Sequence, residues 1–340
     1  MSGRDRVVAV VGASGHTGRF VLAELLRRGF TPVAIGRDRA KLAASGLPAG
    51  LAARVAATDD PTSLDRALAG AAAVINCAGP FLDTADAVAA AAVRAGIHYL
   101  DVTAEQPSTR STLERFDAAA REAGVVVMPA AGFYGGLADL LATAAVGDWE
   151  SADEIRIGIA LDSWRPTEGT RVTGARNIAR RLVVADGRLA PVPQPAPETQ
   201  WDFPGPFGRQ DMIELPFSEI VLIASHLRVS ELHTHLNLAP LRDLRDPATP
   251  PPEASDASGR SRQVFLVEVV ARRGGHTRRA VARGRDIYAF TAPFVCEAVR
   301  RILDREVSGV GAVAPGAIFD ARSYLEALAP DGLAVEIDGA

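Results

Sequence analysis

The stretch that decides the fold is AVVGASGHTG, residues 9–18. An apolar run, Val7–Val11, leads into it and predicts a buried strand, and the apolar spacing at 20–26 predicts a helix after it. A tight glycine turn from a strand into a helix points several backbone N–H groups, with the positive end of the helix dipole, at one spot. We therefore expect this loop to bind a phosphate group.

Composition and charge point to a small-molecule substrate. The chain has 340 residues, of which 48% are hydrophobic, and this suffices for one large domain or for two domains with a proper core. The formal net charge is −4, so the chain offers no broad basic field. That balance argues against nucleic acid or an anionic membrane as the main partner.

Cysteine usage and the amino-terminal sequence bear on location. Cys77 and Cys296 are the two cysteines, and their separation gives no disulfide framework, which is typical of a reducing compartment. The amino terminus lacks a signal-peptide pattern, and the alanine-rich run at 85–95 is too short and too charged to span a bilayer. These observations predict a cytoplasmic protein.

The first part of the chain alternates between short β-branched runs and helical patterns. Such alternation predicts a doubly wound parallel sheet, a Rossmann-type α/β domain over 1–130, with ligands beyond the carboxyl ends of its strands. Helices are expected to begin near Pro61, Thr84 and Pro107. The predicted strands are 7–11, 32–35, 53–56, 73–76, 97–101 and 125–128.

After Gly132 the pattern changes to that of an α+β domain, predicted over 131–285 and built on a mostly antiparallel sheet. Helices are expected at 136–146 and 170–182, and residues 191–206 are expected to be irregular because they are rich in proline. The expected strands are 154–161, 228–238, 263–272 and 277–283. A helix at 292–303, capped by Thr291, opens a carboxyl-terminal segment over 286–340 that is predicted to return to the nucleotide domain.

The glycines of the opening stretch follow the pattern Gly12-x-x-Gly15-x-x-Gly18, a variant of the dinucleotide fingerprint. Hydroxyl groups between them are suited to phosphate oxygens, and a histidine charge there would help to hold a pyrophosphate. The candidates for these contacts are Ser14, His16 and Thr17.

The end of the second strand indicates which dinucleotide is bound. Arg37 follows Gly36 at the strand end, and Lys41 comes one helical turn later. A guanidinium stacks on adenine and forks onto a 2′-phosphate, and an ammonium adds a point charge, so NADP is favoured over NAD. Asp38 leaves the alternative open, because a carboxylate at this place binds the ribose 2′-hydroxyl of NAD.

The turn after the fourth strand, INCAGPF at 75–81, is expected to approach the nicotinamide ribose. Cys77 is interpreted as a small packed residue rather than a nucleophile, because the sequence ties no histidine to it. The predicted cofactor contacts in this turn are Cys77, Ala78, Gly79, Pro80 and Phe81.

Candidate catalytic residues follow the fifth and sixth strands. Asp101 and Thr103 come after the fifth strand, and Tyr134 comes after the sixth. Tyr134 would protonate a substrate if a nearby cation lowered its pKa, and the alternative is an aromatic side chain that only packs. For Asp101 the alternative to catalysis is capping of the next segment through backbone N–H groups.

Three arginines and two histidines complete the set of candidates. Arg165, Arg171 and Arg176 are candidates for clamping a substrate carboxylate, although such arginines also form solvated faces. His233 and His235 share one side of a strand, and two histidines without a third ligand make a poor zinc site, so no metal is expected.

Several motifs together resemble the saccharopine dehydrogenase-like oxidoreductases. They are VVGASGHTG, NCAGPF, GIHYLD, the GF at 132–133 with a following helix that carries Asp139, and the later GRDIYAFTAPFVCEAVRRIL and GAVAPGAIFDARSYLEAL. The resemblance implies an NAD(P) domain, a substrate domain inserted before the carboxyl-terminal helix, and hydride transfer. The chain departs from the family where an aspartate commonly follows GF, because Tyr134 stands there.

The sequence thus predicts an NADP-dependent oxidoreductase that transfers a hydride to an imine or activated C=C of a small metabolite and forms a homodimer. An NADP-binding redox sensor or regulator without turnover is the main alternative. A module that mainly makes a dimer interface is a third.

Overall fold

The computed structural model describes residues 6–47 and 50–338. In its first part, strands and helices alternate, and the strands form a parallel sheet, sheet A, in the order β6-β5-β4-β1-β2-β3. The strands are β1 (Val7–Val11), β2 (Thr31–Gly36), β3 (Ala52–Val55), β4 (Ala73–Asn76), β5 (His98–Asp101) and β6 (Val126–Met128). The helices are α1 (His16–Arg27), α2 (Arg39–Ala44), α3 (Pro61–Leu68), α4 (Phe81–Ala95) and α5 (Gln106–Ala123).

The second part is built on sheet B, with strand order β10-β11-β12-β7-β13-β14. β12 and β7 run parallel and the other neighbours along this path are antiparallel, while β8 pairs with β12 and with β9. The strands are β7 (Ala152–Leu161), β8 (Leu182–Ala185), β9 (Arg188–Pro191), β10 (Glu198–Phe203), β11 (Gly208–Glu214), β12 (Val229–Asn237), β13 (Val264–Arg273) and β14 (His276–Arg285). The helices are α6 (Ala138–Val146), α7 (Glu168–Arg176), α8 (Glu219–Ala224) and α9 (Leu238–Arg245).

The last segment joins both sheets. α10 (Ile287–Leu303) packs against α1. β15 (Gly311–Ala312) then pairs with β6 at the edge of sheet A, and β16 (Ala334–Ile337) pairs with β14 in sheet B. Between them lie α11 (Pro315–Ile318) and α12 (Ala321–Ala327).

The two faces of sheet B have different surroundings. On β7, Ile155 and Ile157 are buried in the main hydrophobic core, together with Leu232 of β12. Because side chains alternate along a strand, Arg156 and His233 lie on the opposite face, which we call the outer face. The outer face therefore belongs to an environment separate from the core.

The fold class is confirmed, as are the predicted strands of sheet A to within one residue at either end. Two predictions in the second half are wrong. The helix expected at 170–182 is α7, which ends at Arg176, and Leu182 already begins β8. Part of the stretch expected to be irregular forms β10, where buried Trp201 and Phe203 alternate with exposed residues, a strand pattern that the prolines around it obscured.

The start of α10 also corrects a prediction. The helix begins at Ile287 rather than at 292, and its cap is Asp286, whose carboxylate accepts two backbone N–H groups of the first turn. Thr291 lies inside the helix, where its hydroxyl donates to the Ile287 carbonyl at 2.9 Å. Pro293 is an internal proline of this helix.

Within the described ranges, no helix combines the length and the apolar character needed to cross a bilayer.

Candidate functional site

The glycine loop lies between β1 and α1 and leaves no room for larger side chains at two positions. Gly12 has φ +77°, and a Cβ on it would lie 2.7 Å from the Ala78 nitrogen. A Cβ on Gly18 would lie 2.3 Å from the Gly12 carbonyl oxygen. The first glycine thus makes the tight turn and the third allows close packing of the helix, as the dinucleotide fingerprint requires.

The amino terminus of α1 is open toward ligand. Gly15 is its cap and supplies no side chain, and the first turn carries no acidic residue, so its N–H groups and the dipole favour an anion. Burial lowers the pKa of His16, which makes its imidazole neutral, so the charge expected beside the pyrophosphate is absent. The buried Nε2 of His16 has no hydrogen-bond partner within the described residues.

At the end of β2, the acidic Asp38 has hydrogen-bond partners in the protein, whereas the basic Arg37 and Lys41 have no ion-pair partner among the described residues. The Asp38 carboxylate accepts the backbone N–H groups of Ala40 and Lys41 and caps α2. The Arg37 and Lys41 side chains are exposed, and neither forms an ion pair with any residue that the structure describes. Asp38 thus caps the helix through Oδ1, and the two cations beside it have no ion-pair partner among the described residues.

The turn after β4 is held by its own polar groups. The Asn76 side chain accepts the Ala78 N–H at 3.0 Å and donates to the Thr84 hydroxyl at 3.2 Å. Burial raises the pKa of the Cys77 thiol to about 12, so a reactive thiolate is disfavoured at neutral pH. This agrees with the interpretation of Cys77 as a packed residue.

Glu105 fixes the other end of this turn, and sequence reasoning missed it. Its buried carboxylate accepts the N–H groups of Phe81 at 2.8 Å and Leu82 at 3.3 Å, at the start of α4. Glu105 lies 24 residues after Phe81. Only the pairing of β4 with β5 brings the two together, so no local pattern signals this contact.

The Asp101 carboxyl is buried and links two backbone segments by hydrogen bonds. It accepts the N–H groups of Thr103 at 3.0 Å and Ala130 at 2.8 Å, and the Tyr99 hydroxyl donates to it at 2.8 Å. The side chain has no exposed surface, and burial raises its pKa to about 6. Its contacts agree with the capping alternative, so the geometry gives no support to the catalytic role predicted for Asp101.

Tyr134 belongs to a cluster of rings, here called the aromatic cluster, which consists of Tyr134, Trp164, Phe217 and Tyr288. The Tyr134 ring stacks on Trp164 with centroids 5.4 Å apart and lies 4.2 Å from the Phe217 ring centroid. The Tyr288 hydroxyl accepts the Trp164 Nε1–H at 3.1 Å and is 2.9 Å from the Thr170 hydroxyl. The buried Tyr134 hydroxyl has no partner within the described residues, so it is available to a ligand.

Charged groups lie beside this cluster. The half-buried Arg181 guanidinium lies 4.8 Å from the Phe217 ring centroid and donates to the Pro216 carbonyl at 2.6 Å. The buried Glu219 carboxyl accepts the Phe217 N–H at 2.8 Å through one oxygen. Burial raises the pKa of Tyr134 well above its usual value, and the opposing effect of Arg181 does not offset it.

The glycine loop and the aromatic cluster meet at one contact. The His16 and Tyr288 rings approach edge to face, with centroids 5.5 Å apart. His16 opens α1 in the nucleotide domain, whereas Tyr288 lies in the first turn of α10 and bonds to the substrate domain through Trp164. The glycine loop and the aromatic cluster are therefore adjacent in the structure.

The three arginines predicted to bind substrate do not converge. Arg165 pairs with Glu253 at 3.2 Å, and Arg176 pairs with Asp83 at 3.0 Å. Arg171 donates to the carbonyls of 246 and 249 at 3.1 and 2.9 Å. Each arginine therefore has a protein partner, whereas Arg181, which sequence reasoning missed, lies against the Phe217 ring of the cluster.

His233 and His235 lie on the outer face of sheet B, apart from the aromatic cluster. In the described part of the chain, no group of three or more His, Cys, Asp or Glu side chains is arranged to hold a metal ion.

Comparison with known families assigns the first domain. The family model for the saccharopine dehydrogenase NADP binding domain matches residues 8–128. The match confirms the predicted resemblance and the nucleotide-binding assignment of the first domain.

Curated relatives match over a similar length. A probable mitochondrial saccharopine dehydrogenase-like oxidoreductase of Arabidopsis thaliana is 30% identical over 142 residues, which are 37% of this chain and 31% of that protein. A saccharopine dehydrogenase-like oxidoreductase of Bos taurus is 28% identical over 152 residues, covering 39% of this chain and 35% of that protein. The match spans about a third of the length of these relatives.

Solved structures extend the likeness in fold to both domains. Apo histidine-tagged saccharopine dehydrogenase (L-Glu forming) from Saccharomyces cerevisiae aligns with a TM-score of 0.70 at 15% identity, covering 98% of this chain and 99% of that one. The DAP dehydrogenase of C. glutamicum aligns with a TM-score of 0.50 at 14% identity, covering 93% and 94%. The arrangement of sheet A with sheet B is thus shared with the first of these along nearly its whole length.

Proposed function

We propose that this protein is an NADP-dependent oxidoreductase that transfers a hydride to an imine or an activated C=C of a small metabolite. The observation that carries the proposal is the contact between His16 of the glycine loop and Tyr288 of the aromatic cluster. It brings a phosphate-binding loop next to a buried, unpartnered tyrosine hydroxyl. The family of residues 8–128 and the names of the curated relatives support the same reaction class.

The residues of the first domain fit a dinucleotide. The loop at 12–18 would hold the pyrophosphate through backbone N–H groups, with the hydroxyls of Ser14 and Thr17 beside them. Arg37 and Lys41 would recognise the 2′-phosphate, and the turn at 77–81 would border the nicotinamide ribose. When bound, NADPH supplies the hydride.

Tyr134 would act on the substrate through its hydroxyl proton. Because burial holds its pKa well above the usual value, the hydroxyl keeps its proton at neutral pH and serves as a hydrogen-bond donor. A donor aimed at an imine nitrogen, or at an oxygen conjugated to a C=C, stabilises the negative charge that develops there during reduction. In this proposal Arg181 binds an acidic group of the substrate, in place of the predicted Arg165, Arg171 and Arg176.

A homodimer and a cytoplasmic location are also part of the proposal. Most soluble oligomers are symmetric, with twofold dimers the commonest, and the cysteine usage favours a reducing compartment. We retain the domain boundaries at 130 and 285 as proposals. Measurement of the mass in solution by light scattering tests the dimer.

A substrate screen with NADPH tests the proposed activity. The full chain would be incubated with NADPH and with 2-oxo acids plus amines, preformed imines or enoyl compounds, while NADPH absorbance is followed. We expect consumption with a member of one class, and consumption slower by about 10²-fold with Tyr134→Phe at the same concentration. NADPH binding without consumption across the panel would instead favour the redox sensor.

A further inference from the structure

A cleft lies on the outer face of sheet B. It encloses about 320 Å³ between the β7–β12 pair and the segment at 183–197. Arg156, His233 and His235 line it, whereas their strand neighbours Ile157 and Leu232 face the main core. The sheet therefore separates this cleft from the aromatic cluster. Its volume falls at the lower end of the range for small-molecule sites, about 300–1,000 Å³.

The negative charges of the cleft have partners within the protein. His233 Nδ1 lies 2.5 Å from a carboxylate oxygen of Glu214, and its Nε2 lies 3.2 Å from one of Glu231. These carboxylates raise the pKa of His233, which favours an imidazolium between them. Glu231 also accepts the Asp186 N–H at 3.0 Å. Neither acid is thus left to attract a cationic ligand.

Arg156 is different, because its guanidinium has no polar partner within the described residues. It lies directly across from His233 in the β7–β12 register. Its guanidinium carbon is 5.2 Å from the Trp201 ring centroid. Within residues 6–47 and 50–338 it forms neither a salt bridge nor a hydrogen bond. A guanidinium held on an aromatic face with its N–H fork unused is arranged to receive a planar anion.

A second unsatisfied group lies beside it. His235 is 6% exposed, and its Nδ1 has no hydrogen-bond partner in the described part of the chain. Burial, with a contribution from Arg156, lowers the pKa of His235 to about 4, so its ring is neutral. Nearly all buried polar atoms in proteins have partners, so an unpaired ring nitrogen in a cleft indicates a missing ligand or water. The remaining wall is apolar and includes Pro191, Pro193 and Pro197.

We propose that this cleft binds a small organic carboxylate, with the anionic group on Arg156, a polar atom near His235 and the apolar body against the proline wall. The proposal does not depend on the reductase activity, because the site lies on the other face of the sheet. A cation would lie against the guanidinium of Arg156, and a wholly apolar ligand would leave that half-buried group without a polar partner.

Fluorine NMR titration of the full chain with para-fluorobenzoate tests this site. We expect saturable millimolar binding by the wild-type protein, and a loss of affinity of about tenfold or more in Arg156→Gln. The matched control is Arg209→Gln, an exposed arginine on the neighbouring strand β11 outside the cleft, which should bind like the wild type. The neutral isostere para-fluorobenzamide should bind more weakly than the acid.

Three results would overturn the proposal. They are an absence of binding to the wild type at millimolar ligand, equal affinities of Arg156→Gln and the wild type, and equal affinities for acid and amide. If Arg181→Gln abolishes binding and Arg156→Gln does not, the acid occupies the aromatic cluster and the proposal is wrong. Unchanged unfolding midpoints of both variants establish that each is folded.

Discussion

The Asp38 carboxylate accepts the backbone N–H of Lys41 at 3.0 Å, while the Lys41 side chain itself is exposed. The acid that would otherwise recognise the ribose of NAD is thereby used as a helix cap. Arg37, one residue earlier, is exposed on the same turn. This arrangement favours a coenzyme that carries a phosphate at the adenosine end.

Removal of both cations should therefore reduce discrimination between the coenzymes. We expect Arg37→Ala/Lys41→Ala to lose about tenfold or more in NADPH affinity, since hydrogen bonds between charged groups contribute about 1.5–3 kcal/mol each. NADH affinity should change little. Fluorescence titration with each coenzyme measures this, with Arg39→Ala, exposed on the same helix, as the control. A parallel loss for both coenzymes would contradict the assignment.

Tyr134→Phe should separate activity from stability. The hydroxyl has no partner among the described residues, so its removal should change the free energy of unfolding by no more than about 0.5 kcal/mol. Turnover should fall by about 10²-fold, as it does when one donor to a developing negative charge is lost.

Tyr324→Phe is the control with the opposite pattern. The Tyr324 hydroxyl donates to the Phe294 carbonyl at 2.6 Å inside the core. Its loss should cost about 1–3 kcal/mol of stability and leave turnover per folded molecule unchanged. Full turnover in Tyr134→Phe would remove this residue from the chemistry.

Asp101 should make stability depend on pH. Its pKa is about 6 in the folded protein, above its usual 3.8, so folding favours the protonated carboxyl. Its contribution to the free energy of unfolding is fully present below about pH 4 and is lost as the pH rises through about 6. The stabilisation lost over this range is roughly 3 kcal/mol. Asn is nearly isosteric and cannot titrate. Relative to Asp101→Asn, the wild type should therefore lose unfolding free energy between these pH values in denaturant titrations. A constant difference would show that Asp101 does not titrate in this range.

Glu105 should couple stability to coenzyme binding. Glu105→Ala leaves the Phe81 and Leu82 N–H groups without their acceptor, at an expected cost of about 1–3 kcal/mol. The turn at 77–81 should loosen, and NADPH affinity should fall with it. Glu105→Gln keeps one acceptor oxygen. Its stability and its NADPH affinity should therefore lie between those of the wild type and those of Glu105→Ala. The control is Glu114→Gln, at an exposed position on α5. It should match the wild type in both thermal unfolding and NADPH titration.

The nucleotide half of the fold was predictable because its signals are local. A strand buried on both faces appears as a continuous β-branched run, and β1 and β4 lie where those runs predict them. The glycine spacing likewise reports local geometry, since Gly12 and Gly18 are required by contacts within the turn and its neighbour. The start of α10 was mispredicted because Thr291 is a residue type that commonly caps a helix, whereas the actual cap is Asp286.

The candidate site was less predictable because it is assembled from distant segments. Arg181 lies against Phe217, 36 residues later in the chain, and Trp164 donates to Tyr288 across a separation of 124 residues. Nothing near Arg181 in sequence distinguishes it from Arg165 or Arg176. Only the packing of sheet B against α10 determines which arginine approaches the cluster.

The most direct test of the central claim is a calorimetric titration of the full chain with NADPH and, separately, with NADH. The claim is that the loop at 12–18 binds the pyrophosphate of the coenzyme and that Arg37 and Lys41 bind the 2′-phosphate of NADP. We predict saturable heat with NADPH, at one site per chain, and weaker binding of NADH. No heat with either coenzyme, or tighter binding of NADH, would contradict the account.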